Sequence, residues 1–403
     1  MVFGSSEGVW KNEALLDGKV FPLHSRGMVK GKMEAPLARF VAAVEERVQV
    51  LAQEVDRAGG ELEISLVDWV KTTMHGASIP SLFGPSFATH ANLSPPQLQA
   101  TLEAFDAAFP LLASGLVPTF LHPLIPPIAK GLRARNELSE AITTWISDDM
   151  PGLDEGVVRD MTVASLDAGH PASEAAKLVI GNIWALTANG PSAAVWMLLY
   201  VLQSGDLLGD VLAEIDLAKQ HPPTIAHLSS SMPLVGSCLT ETLRTSTSTL
   251  SIRTVERDFF LSTLPTSSSS SDDDEKAPGS RTQGYLLPAG SRVIAATRMA
   301  HLSKKLWGED AGAWDGRRFW DREGEKTKSR KARLVHGYGG GVSMVGSSSD
   351  CRSGYSANGA NDAVRRSTSR GVGAQGVHAF DALDVRDHAA APCFERRDGD
   401  ERV

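Results

Sequence analysis

The sequence predicts a mainly α-helical protein with a small β-sheet, on three observations. From about residue 36 to 262 apolar residues recur at every third and fourth position, the spacing that builds one helical face. Residues 173–204 form the longest apolar helical run, hydrophobic nearly all round, as a helix through the middle of a core would be. Two short alternating stretches, STLSIRTVERDFFL and GYLLPAGSRVIAATRMA, then supply strands. A chain of 403 residues with 42% hydrophobic and 22% charged residues has the composition of a folded protein with a sizeable core.

Taken in order, the first strong helix is APLARFVAAVEERVQVLAQEV, where Leu37, Val41, Val44, Val48 and Leu51 share a face. Pro and Gly clusters at Pro80 to Pro85, Pro95-Pro96, Pro118 to Pro127, Pro151-Gly152 and Pro222-Pro223 read as turns between helices. In the long apolar run the pentad ANGPS places Gly190 and Pro191 mid-helix. Proline removes an amide donor and crowds the carbonyl four residues back, so a kink is expected there. A further helix over about 232–246 carries MPLVGSCLTETLR, and Pro288-Ala289-Gly290 reads as a tight turn between two strands. The low-complexity stretch over 264–282, with Asp272, Asp273 and Asp274, reads as a solvated loop insertion rather than an acidic site. From Val345 onward there are eight arginines, no lysine, a single leucine (Leu383) and no sustained period, so an unpacked tail is expected over 345–403.

Charge and motifs remove several functions. A formal charge of -8 argues against a nucleic-acid partner, whose phosphates call for a basic surface. Cys238, Cys351 and Cys393 lie too far apart for a disulfide framework or a paired zinc motif, which suggests a reducing compartment. No uninterrupted apolar run of membrane-spanning length and no signal-peptide pattern occur, so the chain as written is expected to be cytoplasmic. GxxxxGK[ST] and HExxH motifs are absent, and Gly341-Val-Ser343-Met-Val345 lacks the last glycine of a nucleophile elbow. No two histidines stand three or four apart, so residues such as His75 and His301 read as core or surface histidines.

One ordered series remains. Glu241-Thr-Leu-Arg244 puts a carboxylate and a guanidinium on one helical face, which alone reads as a surface pair. It is followed by Arg253 in SIRTVERD, the turn YLLPAG, the segment RMAHLSKKLWGEDAGAWDGRRFW and the glycine run HGYGGGVSM. That succession resembles the cytochrome P450 superfamily, with its ExxR helix, short sheet, arginine-bearing meander and glycine-rich heme loop. WALTANGPSAAVW is similar to the oxygen-side helix of that family, most of all in the branch of prostacyclin synthase and the sterol and bile-acid hydroxylases.

The resemblance implies a P450-like fold over residues 1–344, incomplete at its N-terminus. It implies a buried ion network of Glu241, Arg244 and Arg318, tolerable only when fully paired. Arg253 would meet a heme propionate through a forked donor, with an ordinary exposed strand arginine as the alternative. Tyr338, Gly339 and Gly341 would form the heme loop, where missing side chains let the backbone approach the porphyrin. Ala188, Asn189 and Ser192 would stand near bound oxygen, Asn189 and Ser192 as groups able to pass protons through water. A kinked helix with a self-capped serine is the plainer reading of Ser192.

The resemblance fails at the axial ligand. The family places its cysteine seven residues after the aromatic that is Tyr338 here, and that position is Val345. Cys351 lies six residues further on, outside a tight loop. The family pattern stops after Met344, and valine-glycine is what an intron beginning with GT would encode. The expected function is therefore heme-dependent monooxygenation of a lipophilic small molecule, inactive in this sequence. The alternative is a catalytically dead, heme-free remnant or binding protein. An intact family member would use an NADPH-dependent P450 reductase at the endoplasmic reticulum membrane, and isomerase chemistry without a reductase is a further possibility within the branch.

Overall fold

A computed structural model describes residues 3–320, apart from residues 11, 28–29, 91, 221–223, 249 and 263–283. It has a mostly helical body with a small antiparallel β element, as the sequence predicts. After short N-terminal helical turns the principal helices are α1 (Lys30–Arg57), α2 (Leu66–Phe83), α3 (Pro95–Ser114), α4 (Pro126–Ser147), α5 (Val157–Asp167), α6 (Ala172–Leu202), α7 (Gly205–Ala218), α8 (Ile225–Ser231) and α9 (Pro233–Ser246).

The apolar run folds as α6, one continuous helix that packs against α2, α4, α5 and α9. Its first half enters the main core with Phe105 and Phe109 of α3, Leu138, Ile142 and Trp145 of α4, and Ile180, Ile183 and Trp184 of α6 itself. Trp184 stacks on Phe109 with centroids 4.0 Å apart and 16° between planes, and its Nε1 donates to Asp106 at 2.8 Å. Burial of each such leucine or isoleucine contributes about 1.5–3 kcal/mol before entropy is set against it. The second half of α6 meets two smaller clusters, Ala193 with Leu243, Trp307 and Ala311, and Val201 with Leu207, Val211, Leu234 and Cys238.

Local signals place several boundaries. Ser65 caps α2 by accepting from the Asp68 amide at 3.3 Å, and Ser94 with Gln97 forms a capping box at α3. Gly84 ends α2 at φ +87°, where an added Cβ would lie 2.2 Å from the Gly152 carbonyl oxygen. The turn expected over Pro80 to Pro85 comes at Gly84, with Pro80 still inside α2, and Pro110 likewise lies inside α3, which ends at Gly115. The face of Leu37, Val41, Val44, Val48 and Leu51 lies at the periphery against α2, and none of the described residues of α1 is fully buried.

Strands β1 (Leu250–Thr254) and β2 (Phe259–Ser262) are followed by β3 (Gly284–Leu287) and β4 (Arg292–Ala296). β1 pairs with β4, and β2 with β3, all antiparallel. Gly290 donates to the Val255 carbonyl at 2.7 Å and Val255 to that of Ser291 at 2.9 Å, carrying the ladder across the break. The Pro288–Gly290 turn therefore bends one long hairpin and does not pair its flanking strands. Helices α10 (Thr297–His301) and α11 (Lys304–Trp307) then lead to the coil that crosses α9.

Candidate functional site

Helix α9 presents Glu241 and Arg244 one turn apart, both fully buried. Arg244 spends all five of its N–H donors. Nε and Nη2 donate to the two carboxylate oxygens of Glu241, each at 2.7 Å. Nη1 donates to the carbonyls of His301 and Ala311 at 2.6 Å each, and Nη2 also to that of Ala313 at 3.1 Å. Glu241 Oε1 further accepts from Arg318 Nε at 2.9 Å and from the Asp315 amide at 3.0 Å. The coil 308–320 is thus threaded over α9 by its carbonyls and amides, and every strong donor and acceptor at the centre has a partner.

Neighbouring contacts fix the same coil. Arg244 lies over the Trp307 ring with its Cζ 5.1 Å from the centroid, a cation–π contact in a dry site. Ser237 donates to the Gly316 carbonyl at 2.6 Å and accepts from the Phe319 amide at 3.0 Å. Gly316 has no room for a side chain, since a Cβ there would stand 2.6 Å from Leu207 and 2.9 Å from the Cys238 sulfur. Burial works against the charge on Arg318, but hydrogen bonds to Asp310 and Glu241 outweigh it and raise its pKa. Asp310, hydrogen-bonded by Arg318, is held below the usual carboxylate range. Charges this fully hydrogen-bonded make a clamp rather than a proton donor or acceptor.

The stretch of α6 around Pro191 is a second polar locus. Ala188, Pro191 and Ser192 line a cavity of about 40 Å³ shared with Lys71 and His75 of α2 and Leu102, Glu103 and Asp106 of α3. Ser192 Oγ donates to the Ala188 carbonyl at a long 3.5 Å, and Asn189 is not part of the lining. Arg253 sits in β1 opposite Val293. Tyr338, Gly339, Gly341, Val345 and Cys351 lie outside the described residues.

The cytochrome P450 family model matches residues 21–262. The chain belongs to the cytochrome P450 family. It is 21% identical over 345 residues to a cytochrome P450 monooxygenase of Gibberella zeae, covering 83% of this chain and 60% of that protein. It is 29% identical over 178 residues to cytochrome P450 7A1 of Oryctolagus cuniculus, covering 39% of this chain and 32% of that protein. The chain thus spans less than two thirds of the length of either relative.

P450 membership implies heme, so the residues present must be tested against a thiolate-ligated iron. Cys238, the cysteine among the described residues, is fully buried in α9, with its sulfur directed at the Gly316 carbonyl at 3.7 Å. Burial pushes its thiol up to about 11, away from the thiolate that iron requires. No three His, Cys, Asp or Glu groups converge as a metal site among the described residues. Among the described residues the donor set does not supply the thiolate of a heme iron.

The cavity beside Pro191 was not visible in the sequence. Its only local traces are Lys71 with His75 at i, i+4 and Glu103 with Asp106 at i, i+3, spacings common on any solvated helix.

Proposed function

We propose that this fold serves heme-dependent monooxygenation of a lipophilic small molecule, and that the sequence in hand is inactive in that reaction. What supports the first half is the clamp of Glu241, Arg244 and Arg318, which binds the coil leading toward the glycine run firmly to α9. What supports the second is the chemistry of the sulfur: valine at 345, and a single described cysteine that is buried and hard to ionise. On this reading residues 1–344 are a partial P450 unit with a loop insertion over 264–282, and 345–403 are an unrelated tail. The branch is that of prostacyclin synthase and the sterol and bile-acid hydroxylases. The reaction of an intact member would draw electrons from an NADPH-dependent reductase, and Arg253, Tyr338, Gly339 and Gly341 would hold the porphyrin edge and face. Ala188, Asn189 and Ser192 would border the reacting centre.

The second reading, a heme-free remnant or binding protein on the same scaffold, draws on the same missing ligand. One experiment separates them from an active enzyme. The full chain is produced with excess heme, reduced, and exposed to carbon monoxide. A colourless protein is expected; the absorbance band of a thiolate-ligated P450 would overturn the inactivity. Val345→Cys then distinguishes the two readings, because gain of that band reports a porphyrin cradle waiting for its sulfur, and its continued absence favours the remnant.

A membrane surface is the proposed location. The tip between α3 and α4 exposes Leu116, Phe120 and Leu124, each about three-quarters or more exposed. No acidic residue occurs from Ala107 to Asn136, while Lys130, Arg133 and Arg135 do, in a chain of formal charge -8. Apolar tips beside cations suit an anionic bilayer. Helix α6 is long and apolar enough to cross a membrane, but it packs among α2, α4, α5 and α9.

A further inference from the structure

Three aromatic side chains on two helices form a floor that a fourth ring covers. Phe105 and Phe109 of α3 and Trp184 of α6 are all buried. Phe109 stacks on Trp184, and Phe105 meets Phe109 edge-on, with centroids 6.1 Å apart and 88° between planes. Phe3 lies against all three, its centroid 5.9 Å from Phe105, 5.8 Å from Phe109 and 6.0 Å from Trp184, at tilts of 53°, 46° and 59°. Tilted rings within about 4.5–7 Å attract one another through their quadrupoles. Phe3 itself is only partly buried. It is the lid, and the other three rings are the floor.

The lid is held less firmly than the chain that follows it. From Ser6 onward the segment is anchored: the Ser6 amide donates to Glu174 at 2.9 Å, Asn12 Nδ2 lies 3.3 Å from His170 Nε2, and Val9, Leu15, Leu16 and Val20 are buried. Phe3, Gly4 and Ser5 precede those anchors. Gly4 has φ +82°, a backbone that a side chain would strain, and an added Cβ would stand 3.2 Å from the Arg135 guanidinium carbon. Ser5 is 6% exposed, and its hydroxyl has no hydrogen-bond partner among the described residues. A hydroxyl left bare in a dry site loses its water without return, at a cost of the same order as the gain from covering one ring. Both residues sit on one short segment, so seating the ring and burying the bare hydroxyl go together, and the closed state keeps little surplus.

We propose that the floor of Phe105, Phe109 and Trp184 is a binding site for a planar aromatic molecule, and that Phe3 occupies it as an intramolecular lid which such a molecule displaces. The Phe3 ring shows what the floor accepts. A pivot at Gly4 lifts that ring and returns the Ser5 hydroxyl to water, while the contact of Ser6 with Glu174 stays in place. Two fused rings cover more of the floor than a single phenyl ring does, which favours the exchange. Trp184 Nε1 remains held by Asp106 at 2.8 Å, so the indole keeps its position and reports on its new neighbour. No porphyrin takes part, and the site is therefore tested separately from the carbon monoxide band.

The test is titration of the deuterated, nitrogen-15-labelled full chain with 2-naphthol, read by nuclear magnetic resonance at the Trp184 indole N–H, which is assigned by its absence in Trp184→Phe. A saturable shift of that resonance is expected, because fused rings laid on the floor change the ring current at the indole. Phe3→Ala removes the lid and is expected to lower the dissociation constant at least tenfold. Gly4→Ala keeps the ring but strains the closed backbone; it is expected to lower the dissociation constant at least threefold, and it decides the matter if Phe3→Ala fails to fold. Absence of a saturable shift in the wild type and the lid variants alike, or a dissociation constant that the lid variants leave unchanged or raise, would overturn the proposal and leave Phe3 a packing residue.

Discussion

At the scale of single residues, Glu241 shows why a buried charge can be kept. Desolvating a carboxylate costs several kcal/mol, and the cost is met only because Arg244, Arg318 and the Asp315 amide saturate its oxygens. Glu241→Gln leaves two guanidinium groups facing a neutral amide, one of them wholly buried. A loss of about 3–5 kcal/mol in unfolding free energy is expected from urea titration; a loss near zero would show the clamp to be dispensable. Arg318→Lys keeps the charge but not the fork that spans Glu241 and Asp310, and is expected to lose less than Glu241→Gln in the same titration. His75 and His24 give the pH dependence. Burial lowers both pKa values, for His75 against the opposing pull of Glu103 and the Thr187 backbone. The unfolded chain therefore takes up protons first, below its ordinary value of about 6.5, and the native state loses stability as the pH falls through that point toward the lowered folded values. A thermal-unfolding series from pH 7.5 to 5 should show this decline, and His75→Phe should flatten part of it.

Among the elements, those with a complete local signal are the ones the sequence located. Helix α9 was expected over about 232–246 and runs Pro233–Ser246, because proline starts it, its apolar spacing is regular and the chain beyond it turns extended. Within the Pro80 to Pro85 cluster the turn comes only at Gly84, because a proline late in a helix loses one bond while buried neighbours hold the rest. The strand partners were illegible for another reason: β3 pairs with β2 and β4 with β1 across a long sequence gap, and turn chemistry at Pro288–Gly290 contains nothing about that register. The ExxR pair could be read because its partners follow in a fixed order; the His75 cavity could not, because three separate helices meet there. The α3–α4 tip yields a prediction of its own. Full-length chain should sediment with vesicles containing anionic lipid and be released by salt, and replacing Leu116, Phe120 and Leu124 together by serine should reduce that binding at least tenfold. Binding unchanged by the triple replacement would place the contact elsewhere.

For the whole molecule the decisive feature is that α6 belongs to two cores at once. Its first half lies in the large cluster of α2 to α5, and its second half in the smaller clusters of α7, α9 and the 307–320 coil. The larger cluster is closed by aromatic packing such as Phe87 against Trp145 at 5.0 Å and needs nothing from Glu241. The smaller side has few fully buried apolar residues and relies on the polar clamp to hold its coil down. Stability should therefore be uneven, with the clamp side opening at lower free energy than the α3–α4–α6 core. Hydrogen exchange read by mass spectrometry tests this in Glu241→Gln. Amides of α9 and residues 297–320 should lose protection by at least tenfold, while those around Leu138 to Trp145 keep theirs. Equal loss across both regions would mean that α6 couples them into a single cooperative unit, and that the clamp, although small, sets the stability of the entire fold.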